Sequence, residues 1–182
     1  MIHVAVIGAQ GRMGATVVEA VNGADDMEFV AGLDASDQII ASNLGGAEVA
    51  VDFSTPSVTE ANVHALLDAG VNVVVGTTGW SDESYERVRV HAEESGRCVL
   101  IAPNFAMSAV LAMKFAALAA PYFESAEVIE MHHPNKVDAP SGTAVATAKG
   151  IAASRRKAGC SPMPDATQSD PLGARGGAID GV

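Results

Sequence analysis

The run Ile2-His3-Val4-Ala5-Val6-Ile7 passes directly into Gly8-Ala9-Gln10-Gly11-Arg12-Met13-Gly14, and Val17, Val18 and Val21 follow at helical spacing. A short apolar run rich in β-branched residues reads as a strand buried on both faces. The chain must therefore open as strand, tight turn and helix. The glycine spacing is a GxxGxxG variant of a dinucleotide fingerprint. Its glycines permit the turn, a close approach of backbone to a pyrophosphate, and close packing of helix on strand. The motif alone is weak, and its position between a strand and a helix is the context it needs. Gly8, Ala9, Gln10, Gly11, Arg12 and Met13 are the candidate phosphate-side residues.

Residues 29–34 read as a second strand ending in Asp34, twenty positions past Gly14. A carboxylate there is placed to bind the adenosine ribose hydroxyls. The plainer reading is a surface acid at a strand end, and the fingerprint tips the balance toward the ribose. An acid repels a 2′-phosphate and no arginine follows it, since Ala35 and Ser36 do, so NADH is expected before NADPH. Arg12, inside the glycine loop, keeps NADPH open.

Strand and helix patterns then alternate. Residues 37–47 read as a loop or short helix, 48–53 as a strand, 57–69 as a helix, 71–75 as a strand, 81–94 as an exposed helix and 98–102 as a strand. This alternation predicts an α/β fold with a Rossmann-like, right-handed parallel sheet. Ligands of such sheets sit outside the carboxyl ends of the strands. The loops at Gly8, Asp34, Phe53, Gly76 and Ala102 are thus expected along one edge. Trp80 and Phe105 lie where they could contact a cofactor, with packing the expected role of each, and Phe53 is likewise ambiguous. A dinucleotide-binding domain is expected over 1–105. An apolar helix over 108–122 leads into a second domain, 106–182, expected as the N-terminal portion of an α+β unit. It holds a strand over 126–129, a helix from Ser141 to about Lys157, and an extended loop over 159–177.

Charge narrows the partners. The net charge of −11 and isoelectric point near 4.7 argue against nucleic acid and anionic membrane, which both reward a basic face. Cys98, in an apolar run, is expected as a small core residue. Cys160 is expected as a free thiol, and no disulfide framework is indicated. No signal peptide pattern opens the chain and no apolar stretch reaches spanning length, so a cytoplasmic protein is expected.

The scarce positive charge gathers in Glu130-Met131-His132-His133-Pro134-Asn135-Lys136-Val137-Asp138-Ala139-Pro140-Ser141-Gly142-Thr143-Ala144. A helix starting at Ser141 offers unpaired N–H groups and a partial positive charge, a seat for a carboxylate or phosphate. Lys136 adds a full charge, and His132 and His133 add groups that exchange protons near neutral pH. Taken singly, each feature is more often structural, since paired histidines are commonly exposed and Ser-Gly-Thr is an ordinary cap. A metal is not expected. Adjacent strand residues face opposite ways, no third ligand follows at a usual spacing, and neither cysteine lies nearby.

The pattern Glu-x-His-His-x-x-Lys-x-Asp-Ala-Pro-Ser-Gly-Thr-Ala resembles the signature of the dihydrodipicolinate reductase family, nicotinamide-dependent reductases of the diaminopimelate and lysine pathway. The resemblance runs in order along all 182 residues. It implies reduction of a cyclic dicarboxylic imine, 4-hydroxy-tetrahydrodipicolinate, to tetrahydrodipicolinate by NADH or NADPH. It further implies His132 as general acid/base, Lys136 as proton donor, and His133, Gly142 and Thr143 as holders of the dicarboxylate. Gly76, Thr77 and Thr78, with Ala102, Pro103, Asn104 and Phe105, resemble the family's two further cofactor loops. A complete member is expected to be a homotetramer. This chain is expected to lack a member's closing portion, which puts its assembly and activity in doubt. Two other readings stay open: a dehydrogenase or reductase of another small amino or imino acid, and a non-catalytic dinucleotide sensor.

Overall fold

The computed structural model describes every residue except Asn135, Val137, Asp138, Ala174 and Arg175. The chain forms two compact units, Met1–Pro103 and Asn104–Val182.

The first unit runs β1 (Ile2–Ile7), α1 (Arg12–Asn22), β2 (Met27–Leu33), β3 (Val49–Asp52), α2 (Thr59–Asp68), β4 (Asn72–Val75), α3 (Asp82–Ser95) and β5 (Val99–Ile101). The strands form one sheet in the order β2-β1-β3-β4-β5, and every pairing is parallel. Parallel neighbours need a crossover; α1, α2 and α3 supply three of them, and the chain passes from β2 to β3 through a 3-10 turn at Ala41–Asn43. All five strands therefore deliver their carboxyl ends, and the loops that follow them, to one edge of the sheet. The core lies between sheet and helices. Ala5, Ile7, Ala50, Val73 and Val75 pack with Val63, Leu66 and Leu67 of α2 and Val88 of α3. Leu66 is completely buried, which stabilises by about 2 kcal/mol.

Local chemistry sets the ends of the helices. Ser81 and Ser84 form a reciprocal capping box at the start of α3, and Gly96 closes it in the left-handed conformation, φ 65°, as helix C-termini favour. The helix expected from Ser57 begins later, at Thr59. Its N-cap position is Val58 with no side-chain cap, because a turn at Thr55, whose carbonyl accepts from both Val58 and Thr59, takes up the intervening residues. Cys98 is exposed rather than in the core. It precedes β5, an edge strand of three residues with sheet on one side only, and Leu100 beside it is also exposed.

The second unit holds α4 (Met107–Ala119), a 3-10 turn at Ala120–Tyr122 and α5 (Gly142–Lys157). Ala148, Ile151 and Ala152 give α5 its buried face, and α5 packs on α4. Arg155, also on α5 and buried, donates to the carbonyls of Ala120, Phe123, Glu124 and Ser161. The strand expected over 126–129 does not form. Strand backbone needs a ladder partner, and none of the described residues supplies one. Residues 125–130 instead line an open cleft of about 480 Å³, with Met163, Asp165 and Ile179 across it. Among the described residues, no helix is long and apolar enough to cross a membrane.

Candidate functional site

At the sheet edge, the glycine loop is shaped by contacts that exclude side chains. Gly8 sits at φ +77°, and a Cβ there would lie 2.7 Å from the Phe53 carbonyl oxygen. A Cβ on Gly14 would stand 1.9 Å from the Gly8 carbonyl oxygen. Gly11 donates its N–H to that same oxygen at 3.0 Å, which closes the turn into α1. Ala9 is half-buried, while Gln10, Arg12 and Met13 are exposed around it. The half-buried Asp34 follows β2, and its carboxylate accepts the Gln10 N–H at 3.2 and 3.3 Å. The structure thus brings the predicted ribose acid and the predicted phosphate loop together.

The loop after β4 is anchored from beneath. A Cβ on Gly76 would lie 2.0 Å from the Phe53 ring, so the ring occupies the space a side chain would need. Thr77 is buried and its hydroxyl donates to the Asp52 carboxylate at 2.8 Å. That hydroxyl serves the loop's own structure, while Thr78 is only half-buried. Trp80 packs against the core, and its indole donates to the Thr77 carbonyl at 2.9 Å. The reading of the sequence missed Asp52, the fully buried last residue of β3. The available signal was an acid closing an apolar strand, with Ser54, Thr59 and Asn62 following as donors.

The predicted loop over residues 102–105 is divided between the units, with Ala102 and Pro103 in the first and Asn104 and Phe105 in the second. The Asn104 side chain is committed at both ends. Its Nδ2 donates to Thr143 Oγ1 at 3.1 Å, and its Oδ1 accepts the Ala106 N–H at 2.8 Å. Phe105 is exposed.

In the second unit, Ser141 is the N-cap of α5, and its hydroxyl accepts the Ala144 N–H at 3.1 Å. Its own N–H is held by Glu130, whose two oxygens lie 3.0 and 3.1 Å away. The Ser141 hydroxyl and N–H hold the Glu130 carboxyl below its usual range, with the nearby charges of His132 and Lys136 adding to the effect. His132 Nδ1 stands 3.6 Å from Glu130 Oε2, an ion pair when the imidazole is protonated. Glu130 is the second residue the sequence reading left without a role; its signal was its place at the head of the signature. Thus His132 and Ser141, the N-cap of α5, both meet the Glu130 carboxylate, and Gly142 and Thr143 follow in the first turn of the helix. His133 is exposed; its carbonyl accepts the Lys136 N–H at 3.2 Å, and Lys136 is half-buried. The signature's Asn135, Val137 and Asp138 lie outside the described residues. The first turn of α5 carries no acid and its last turn carries Arg155, Arg156 and Lys157, which complements the helix dipole and leaves the start suited to an anion.

The donor set of the first unit fits a dinucleotide. The start of α1 offers helix N–H groups to a pyrophosphate, the glycines keep the approach clear, and Asp34 retains acceptor capacity for a ribose diol.

Comparison with known proteins agrees. The sequence model of the dihydrodipicolinate reductase N-terminus matches residues 2–105 and that of its C-terminus matches residues 108–178. The 4-hydroxy-tetrahydrodipicolinate reductase of Beutenbergia cavernae is 62% identical over 182 residues, all of this chain and 73% of the relative. That of Streptomyces coelicolor is 54% identical over 182 residues, with the same shares. A dipicolinate-bound dihydrodipicolinate reductase from Paenisporosarcina sp. TG-14 superposes with a TM-score of 0.71 at 37% identity, covering 100% of this chain and 76% of that one. On sequence and fold together, the chain belongs to the dihydrodipicolinate reductase family of NAD(P)H-dependent oxidoreductases.

Proposed function

We propose that the chain converts 4-hydroxy-tetrahydrodipicolinate, a cyclic dicarboxylic imine, to tetrahydrodipicolinate, the ring losing its 4-hydroxyl as water and gaining one hydride and one proton, with the first unit as the dinucleotide domain and the second as the substrate domain. The observation that carries this reading is the cluster in which Glu130 holds Ser141 and stands 3.6 Å from His132. This supports the reading because His132 and Ser141, the N-cap of α5, share one carboxylate partner.

The nicotinamide cofactor, when bound, supplies the hydride. This chain's residues do the rest. The backbone of residues 8–13 holds the phosphates and Asp34 the adenosine ribose, while the loops at 76–78 and 102–105 hold the remainder of the dinucleotide. His133 and the N–H groups of Gly142 and Thr143 hold the substrate carboxylates. His132 acts as general acid/base, and Lys136 donates the proton that the reduced ring requires. An imidazole or ammonium beside the reacting atom is suited to such a transfer.

The test is a titration of NADH fluorescence with and without pyridine-2,6-dicarboxylate, followed by a coupled assay with the cyclic imine. The expected result is NADH binding that tightens with the dicarboxylate, together with imine-dependent NADH oxidation. NADH binding indifferent to the dicarboxylate, with no imine turnover, overturns the substrate assignment in favour of a sensor. The absence of NADH binding overturns the dinucleotide assignment.

A further inference from the structure

We propose that Asp52 is a positioning residue for the nicotinamide side of the dinucleotide site. Its buried carboxylate ties the loop after β3, the start of α2 and the loop after β4 into one edge. The inference rests on the dinucleotide reading above and assigns a residue that no part of that reading uses.

Asp52 has no exposed surface, so it acts through the groups it holds. Its Oδ1 accepts the Ser54 N–H at 3.0 Å and the hydroxyls of Ser54 at 2.8 Å, Thr59 at 3.3 Å and Thr77 at 2.8 Å. Its Oδ2 accepts the Asn62 amide at 2.9 Å. These five donors are all neutral. Burying a carboxylate costs several kcal/mol even when it is well solvated by hydrogen bonds. An apolar side chain would close the end of β3 without that cost, but it would hold neither loop by directional bonds. The Thr77 bond is the informative one, because it spans 25 positions of sequence and joins two different strand ends. The backbone reinforces it, with Gly76 donating to the Asp52 carbonyl at 2.9 Å.

The strand order makes the effect separable. Asp34 follows β2, on one side of β1, whereas Asp52 and the Gly76 loop follow β3 and β4 on the other side. Loosening Asp52 should therefore disturb one half of a bound dinucleotide and spare the adenosine half.

The experiment uses the 182-residue chain with Asp52→Asn and, separately, Asn62→Ala. Asp52→Asn keeps the shape but sets an amide donor among donors. Asn62→Ala removes one tie to the carboxylate from a helix residue outside both loops. Affinities for NADH and for ADP, a probe of the adenosine half, are measured at a temperature where circular dichroism shows both variants folded. The expected result is an NADH affinity weaker by about 10-fold and a reduced nicotinamide fluorescence enhancement, with ADP affinity held within about twofold. A parallel loss of both affinities assigns Asp52 to general stability and overturns the proposal. Unchanged NADH binding also overturns it. Should Asp52→Asn fail to fold, Asn62→Ala decides by the same criteria. If the wild-type chain itself binds no NADH, the dinucleotide reading falls and this proposal with it, an outcome distinct from a wild type that binds and variants that bind equally well.

Discussion

The two carboxylate oxygens of Glu130 stand 3.0 and 3.1 Å from the backbone nitrogen of Ser141, eleven positions along the chain. This contact makes the beginning of α5 sensitive to acid. The Glu130 carboxyl is held below its usual range by Ser141. A carboxyl depressed in the folded state contributes stability above its unfolded value, and that contribution is lost as the pH falls through the folded value. Melting curves of wild type and Glu130→Gln should therefore differ at pH 7 and converge as the pH drops below ~4.3. A gap that does not narrow as the pH falls assigns the effect to packing rather than charge.

Arg155 is buried and its guanidinium serves four carbonyl groups. Truncation leaves the buried Ala120 carbonyl, and the part-buried bonds to Phe123, Glu124 and Ser161, without their donor. Arg155→Met should destabilise the second unit by about 3 kcal/mol, read by urea unfolding. Lysine keeps the charge but not the planar fork, so Arg155→Lys should recover less than half of that loss.

Gly14 faces backbone, because its Cβ would lie 1.9 Å from the Gly8 oxygen and 2.7 Å from the Gly8 carbonyl carbon. Backbone yields less readily than a side chain. Gly14→Ala should cost about 3 kcal/mol or more and abolish NADH binding. At Gly76 the obstacle is the Phe53 ring, so the double variant Gly76→Ala with Phe53→Leu should be more stable than Gly76→Ala alone. Thermal melts of the set check both statements.

Asp34 closes onto the glycine loop through the Gln10 N–H. Asp34→Asn removes the charge that favours a ribose diol and opposes a 2′-phosphate. NADH affinity should fall by about 10-fold while NADPH affinity falls less or rises. Parallel fluorescence titrations with the two cofactors decide it.

Lys136 is half-buried within the signature loop. Lys136→Ala should lower kcat by about 100-fold or more while leaving the melting temperature and NADH affinity near wild type. Turnover at the wild-type rate removes this lysine from the proton transfer.

The sheet was legible because each strand in it is a near-continuous apolar run punctuated by glycine, the mark of a strand buried on both faces. The approach of Asp34 to the glycine loop was legible in spacing, which the sequence carries directly. Asp52 was not, because its importance lies in donors supplied by Ser54, Thr59, Asn62 and Thr77, which only folding brings to one point. The apolar spacing over 126–129 resembles a strand, but a strand is a property of a pair, and sequence pattern carries only one member. Cys98 misled similarly. An apolar neighbourhood in sequence gave it no cover, because β5 stands at the rim of the sheet.

The place of β1 has a consequence for synthesis. It is made before either of its sheet neighbours, since its two flanks pair with Met27–Leu33 and with Val49–Asp52. No hairpin is available to shelter it, since parallel neighbours must arrive by way of a crossover. Its apolar edges therefore stay uncovered until the chain has been made as far as Asp52, and a chaperone that binds short aliphatic stretches would have a target there.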